Sequence, residues 1–125
     1  MEAGGNAVDA AVATALALGV VEPWMSGYVV GCFMLVSDSE TGAVHQIDSG
    51  MIAPMALDPA RYSLEGGASG HDALFTWPKV IEDRNQIGAE SIAVPGAVSG
   101  LSTALARFGS GRFSWSDVLQ PAIRL

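Results

Sequence analysis

Residues 4–23 read GGNAVDAAVATALALGVVEP, and this stretch decides how the rest of the chain is read. Asn6 stands where a helix N-cap is wanted, its side-chain oxygen placed to accept an orphan amide of the first turn. Asp9, three residues on, completes a capping pair and sits at the positive end of the helix. From Ala10 to Val21 the only polar side chain is Thr14. A helix apolar almost all round is expected to be buried on most of its surface. Crossing a bilayer takes about 20 apolar residues, so this run reads as a core helix and not a membrane span.

Downstream, Tyr28 to Val36 is nearly continuously apolar and predicts a strand buried on both faces. Asp38 to Gly42 supplies turn chemistry, and Ala43 to Ile47 alternates, so the two runs predict a hairpin. Residues 51–91 are mixed: Pro54 and Pro59 break regular structure, GGASG at 66–70 predicts a flexible loop, and Lys79 to Arg84 predicts a solvated turn or short helix. A second helix is expected from Pro95, in its first turn, to Arg107, with Gly109 as its C′ residue. Ser114 and Asp117 form a cap pair for a last helix, which Pro121 should shorten or kink. No internal repeat is present. A helix, a hairpin and two or more further helices, with the strands mostly adjacent, predict an α+β or layered α/β arrangement.

Composition narrows the function. Of 125 residues, 50% are hydrophobic and 15% charged, enough for a real core. The net charge of −7 argues against nucleic acid, and no basic amphipathic stretch suits a membrane surface. Cys32 is the one cysteine, and His45 and His71 lack ligand spacing, so neither a disulfide nor a metal site is expected, and no cofactor is implied. Cys32 reads as an inert small hydrophobe and His45 as a surface or satisfied histidine. Gly109 to Arg112 reads as a helix-to-helix turn, and Trp24, Trp77 and Trp115 as packing anchors. The acidic residues are scattered, with no acid–base pair among them. No residue pattern names a compartment.

Four blocks in order carry a family resemblance: the 4–23 helix, FMLVSD from Phe33 to Asp38, IAVPGAVSGL from Ile92 to Leu101, and WSDVLQPAIRL from Trp115 to Leu125. Together they resemble the N-terminal part of the gamma-glutamyltranspeptidase large subunit. The resemblance implies a share of the four-layer αββα sandwich of N-terminal nucleophile hydrolases, with residues 1–125 a single incomplete domain. It also implies that the chain begins inside the family's first motif and stops inside its last helix, cut at both ends. The absence of a basic-then-apolar leader at Met1 and Glu2 therefore says little.

In that family a precursor cuts itself, and a threonine at the new N-terminus of the small subunit attacks the gamma-glutamyl amide of glutathione-type substrates, with its own amine as base. The implied partners are a small amide substrate, the rest of the large subunit and a threonine-bearing small subunit. Thr14, Thr41, Thr76 and Thr103 lie in blocks unrelated to that nucleophile, so no catalytic residue is expected in this chain. The family's D-x-R-E-x-A-P motif carries an arginine that grips the substrate α-carboxylate with a two-pronged hydrogen bond. Here the stretch runs Asp48, Ser49, Gly50, Met51, Ile52, Ala53, Pro54, so Gly50 stands at the arginine position and Met51 at the glutamate. A second departure replaces the family's glycine run with Val29 and Val30, read as making a better strand ahead of the alternative of altered substrate access. Three functions stay open: a segment of a gamma-glutamyl transferase or hydrolase, an acylase or amidohydrolase with different acyl specificity, and a non-catalytic fragment or interaction module.

Overall fold

The computed structural model describes residues 3–68 and 78–125. Their class is mixed α+β, with the order α1 (Ala7–Val21), β1 (Cys32–Ser37), β2 (Val44–Ser49), β3 (Leu64–Ala68), β4 (Pro78–Val80), α2 (Ala97–Phe108) and α3 (Trp115–Arg124). The chain divides into two compact units, 1–52 with 95–125, and 53–94.

In the first unit both predicted caps are formed. The Asn6 side chain accepts from the backbone N–H groups of Val8 and Asp9, and Asp9 returns the bond to the Asn6 N–H at 2.8 Å. Ser114 and Asp117 do the same at the start of α3. Pro121 lies inside α3 without ending it, because the helix continues to Arg124. Pro95 lies outside α2, whose N-cap is Gly96, so this proline precedes the first turn rather than entering it. Gly109 closes α2 as its C-cap in an extended conformation rather than a left-handed C′. Its value is space, since a Cβ there would lie 2.9 Å from Asp9 Oδ1.

The hairpin pairs β1 with β2 antiparallel, from Cys32 opposite Ser49 to Ser37 opposite Val44. Asp38 holds its turn by accepting from the Glu40 N–H and the Thr41 hydroxyl, with Gly42 at φ +71°. Strand β1 starts four residues later than expected and alternates instead of burying both faces. Cys32, Met34 and Val36 turn inward, whereas Phe33 and Leu35 are 71% and 72% exposed. The core joins Val8, Val12 and Leu16 of α1 to Ile47 of β2, Leu101 and Ala104 of α2, and Val118 and Ala122 of α3. Helix α2 packs on the inner face of the hairpin, α1 packs against α2, and α3 packs against α1. The same arrangement buries only one side of α1, so Leu18, Val20 and Val21 remain exposed where near-complete burial was expected. Trp115 packs against the core as anticipated, but Trp24 is 75% exposed and anchors nothing.

The second unit carries short 3-10 turns at Pro59–Arg61, Ile81–Asp83 and Ala89–Ser91, and a β3–β4 pair with Leu64 opposite Val80. Gly66 to Ala68 belong to β3 rather than to a loop, and Lys79 lies in β4, where it pairs with Glu65 at 2.9 Å. Ser69, Gly70, His71, Thr76 and Trp77 lie outside the described residues, so the expectations for them do too.

Phe33, Leu35 and Val44 stand exposed on the outer face of the hairpin, opposite Asp48, Gln46 and Ser37, and Leu18, Val20 and Val21 stand exposed on α1. Exposed apolar side chains in this number drive association. The isolated polypeptide is therefore expected to run as an oligomer or to lack fixed packing. Dispersed amide resonances from a cooperatively melting monomer would contradict this.

Candidate functional site

Gly50 follows β2 directly and is half-buried. Its N–H donates to Asp48 Oδ1 at 3.1 Å. A Cβ built there would meet Phe33 Cζ at 3.1 Å and Asp48 Oδ1 at 3.5 Å, and its φ lies outside the left-handed region. The position therefore tolerates a side chain if the exposed Phe33 ring gives by a few tenths of an ångström. Position 50 holds no side chain, and its immediate polar neighbour is the Asp48 carboxylate.

Three other glycines press on the same short segment. A Cβ on Gly31 would lie 2.9 Å from both Gly50 Cα and Met51 N. One on Gly96 would overlap the Ser49 carbonyl and lie 2.8 Å from the Gly50 oxygen; one on Gly100 would overlap Ser49 Oγ and lie 2.7 Å from its Cβ. Only glycine allows backbones to pass this closely. Hydrogen bonds close the junction: the Ser49 hydroxyl donates to the Cys32 carbonyl at 2.8 Å, and the Gly96 and Ala97 N–H groups donate to the Val30 carbonyl at 3.2 and 2.9 Å. Sequence reading passed over Gly96 and Gly100, although two glycines four apart share one helix face.

The same bonds explain the fate of Val29 and Val30, which lie in a bend before β1 rather than in a better strand. The start of α2 captures the Val30 carbonyl, and Tyr28 packs over Gly19 and donates its hydroxyl to the Leu16 carbonyl. An apolar cavity of about 260 Å³ opens beside the junction, lined by Leu18, Tyr28, Val30, Cys32 and Leu101 among others.

A second network ties the start of α1 to the α2–α3 turn. Asn6 Nδ2 donates to the Phe108 carbonyl at 2.8 Å, and the Ser110 N–H donates to both Asp9 oxygens at 3.2 and 3.3 Å. Asp9 is 5% exposed. Burial works to raise its carboxyl, but Ser110's side chain and the backbone N–H groups of Asn6 and Ser110 outweigh that and hold it below the ordinary carboxylate value.

The remaining candidates do not join Gly50. The His45 ring lies 4.9 Å from that of Phe108, in a cleft of about 610 Å³ with Asp38 and Arg107. Thr41 serves the hairpin turn, and the Thr103 hydroxyl donates to the Ser99 carbonyl within α2. Among the described residues no group of three or more His, Cys, Asp or Glu could hold a metal ion, and no helix is long and apolar enough to cross a membrane.

The sequence profile described as gamma-glutamyltranspeptidase matches residues 1–125. Glutathione hydrolase 3 of Arabidopsis thaliana is 34% identical over 125 residues, spanning 100% of this chain and 17% of its own length. The acylase ACY 1 proenzyme of Pseudomonas sp. strain V22 is 40% identical over 124 residues, spanning 98% of this chain and 21% of its own length. Among solved structures, the gamma-glutamyltranspeptidase from Pseudomonas nitroreducens complexed with L-DON superposes with a TM-score of 0.78 at 39% identity. That alignment covers 98% of this chain and 32% of the solved one. This solved relative has the N-terminal nucleophile hydrolase fold, and the mixed α+β make-up of this chain is compatible with a share of it. The chain belongs to the gamma-glutamyltranspeptidase family and corresponds to the N-terminal part of its large subunit. It spans about a fifth of the length of the curated relatives it matches.

Proposed function

We propose that residues 1–125 work as a non-catalytic share of a larger gamma-glutamyltranspeptidase-like enzyme, with position 50 facing the acyl donor. The complete enzyme would transfer or hydrolyse an amide-linked acyl group through a threonine supplied by a small subunit outside these residues. In this reading the chain forms one incomplete domain of an αββα sandwich. The exposed outer face of the hairpin, with Phe33, Leu35 and Val44, supports it, because such a face suits coverage by a second layer.

The observation that carries the specificity is Gly50 itself. A glycine offers no fork of N–H donors for a carboxylate, and the neighbouring Asp48 carboxylate repels one. We read the donor as an acyl group whose recognition does not depend on an α-carboxylate at this position. The 40% identity to an acylase proenzyme fits that reading.

The division of labour has a direct test. The 1–125 polypeptide alone is expected to release no p-nitroaniline from gamma-glutamyl-p-nitroanilide or from 4-nitroacetanilide above a protein-free blank. The complete enzyme should release it from at least one of them. Turnover by the short polypeptide, or none by the complete enzyme, would overturn the proposal.

A further inference from the structure

We infer that Gly31, Gly96 and Gly100 are positioning residues, which fix the backbone of Ser49 to Met51 and so set where a side chain at position 50 points. The inference rests on the reading of position 50 given above. Gly96 and Gly100 belong to the first turns of α2, and Gly31 leads into β1. From their separate directions these glycines approach one short segment so closely that any Cβ would displace it. Gly100 lies inside a helix, where glycine is a poorer residue than alanine. Close approach to Ser49 is what its missing side chain provides.

The hydrogen bonds make the junction directional. Ser49 is tied to Cys32 through its hydroxyl, and α2 is tied to Val30 through the Gly96 and Ala97 N–H groups. Helix start, strand start and strand end are thereby keyed together within a few residues of Gly50. A Cβ on Gly100 would push Ser49 and shift position 50 with it. A shift of about an ångström in a substrate-positioning group commonly costs on the order of a hundredfold in rate.

The test uses the complete enzyme with Gly50→Arg, whose arginine is a reporter of aim. With gamma-glutamyl-p-nitroanilide, Gly50→Arg should lower KM relative to the parent. Adding Gly100→Ala should erase at least tenfold of that gain, and adding Ser49→Gly to this pair should restore part of it, because both colliding atoms of Ser49 are then gone while the bond to Cys32 stays lost. Val118→Ala, in the core of α3 and away from the junction, should lower the melting temperature and leave the gain intact. If Gly100→Ala prevents folding, Ser49→Ala stands in, since it removes the bond to Cys32 without adding an atom and should shrink the gain. A gain that survives Gly100→Ala or its stand-in overturns this inference alone. No gain from Gly50→Arg overturns the reading of position 50, and the inference with it.

Discussion

Gly50→Arg in the complete enzyme is expected to lower the Michaelis constant for gamma-glutamyl donors by tens- to thousands-fold. Leaving one partner of a charge-assisted, partly desolvated pair unmatched costs about 2–5 kcal/mol, and each 1.4 kcal/mol is tenfold in affinity. The backbone accepts the change, because φ at Gly50 is not left-handed and the closest obstacle is the edge of the Phe33 ring at 3.1 Å. The ring edge needs to give by only a few tenths of an ångström. Asp48, 3.5 Å from the new Cβ, would help hold the guanidinium. A lysine at the same place should recover much less, since it lacks the planar fork. Steady-state kinetics on glutathione and on an amide without the α-carboxylate separate the effects, and only the first substrate should respond.

The second large effect is on stability. Asp9→Ala removes half of a capping box and leaves the Asn6 and Ser110 N–H groups without their buried acceptor. Caps contribute about 1 kcal/mol, and bonds to buried charged groups about 1.5–3 kcal/mol, so a loss of about 3 kcal/mol is expected. Asp9→Asn should lose less, because an amide oxygen can still accept. The pH dependence has a definite sign. The folded-state carboxyl is depressed, so its stabilisation is fully present above its unfolded value of about 3.9 and is lost as pH falls through the lower folded value. Denaturant midpoints of parent and Asp9→Ala should therefore differ most above pH 5 and converge in acid. A constant difference down to pH 2 would show that the charge contributes nothing.

What was legible in the sequence was local. Asn6 with Asp9, and Ser114 with Asp117, announce helix starts because each cap is satisfied within three residues. The hairpin was legible from Asp38 to Gly42, where the Asp38 side chain bonds Glu40 and Thr41 and Gly42 takes the positive φ the turn needs. Long-range partners were not. The same Asn6 and Asp9 reach Phe108 and Ser110, about a hundred residues away, and no local pattern reports that. Tyr28 to Gly31 have strand composition, but α2 takes the Val30 carbonyl and the strand begins only at Cys32. The candidate site divides the same way. Gly50 was visible against the family motif, whereas the junction around it needs Gly31 and Gly100 to meet Ser49 and Gly50 in space.

The central claim is that position 50 no longer selects for an α-carboxylate. Its most direct test is the ratio of kcat/KM for gamma-glutamyl-p-nitroanilide to that for 4-nitroacetanilide, measured on the unmodified complete enzyme and on Gly50→Arg. A small ratio is expected for the parent, rising at least tenfold in the variant. A parent that already favours the gamma-glutamyl donor strongly, with a ratio that the arginine leaves unchanged, would contradict it.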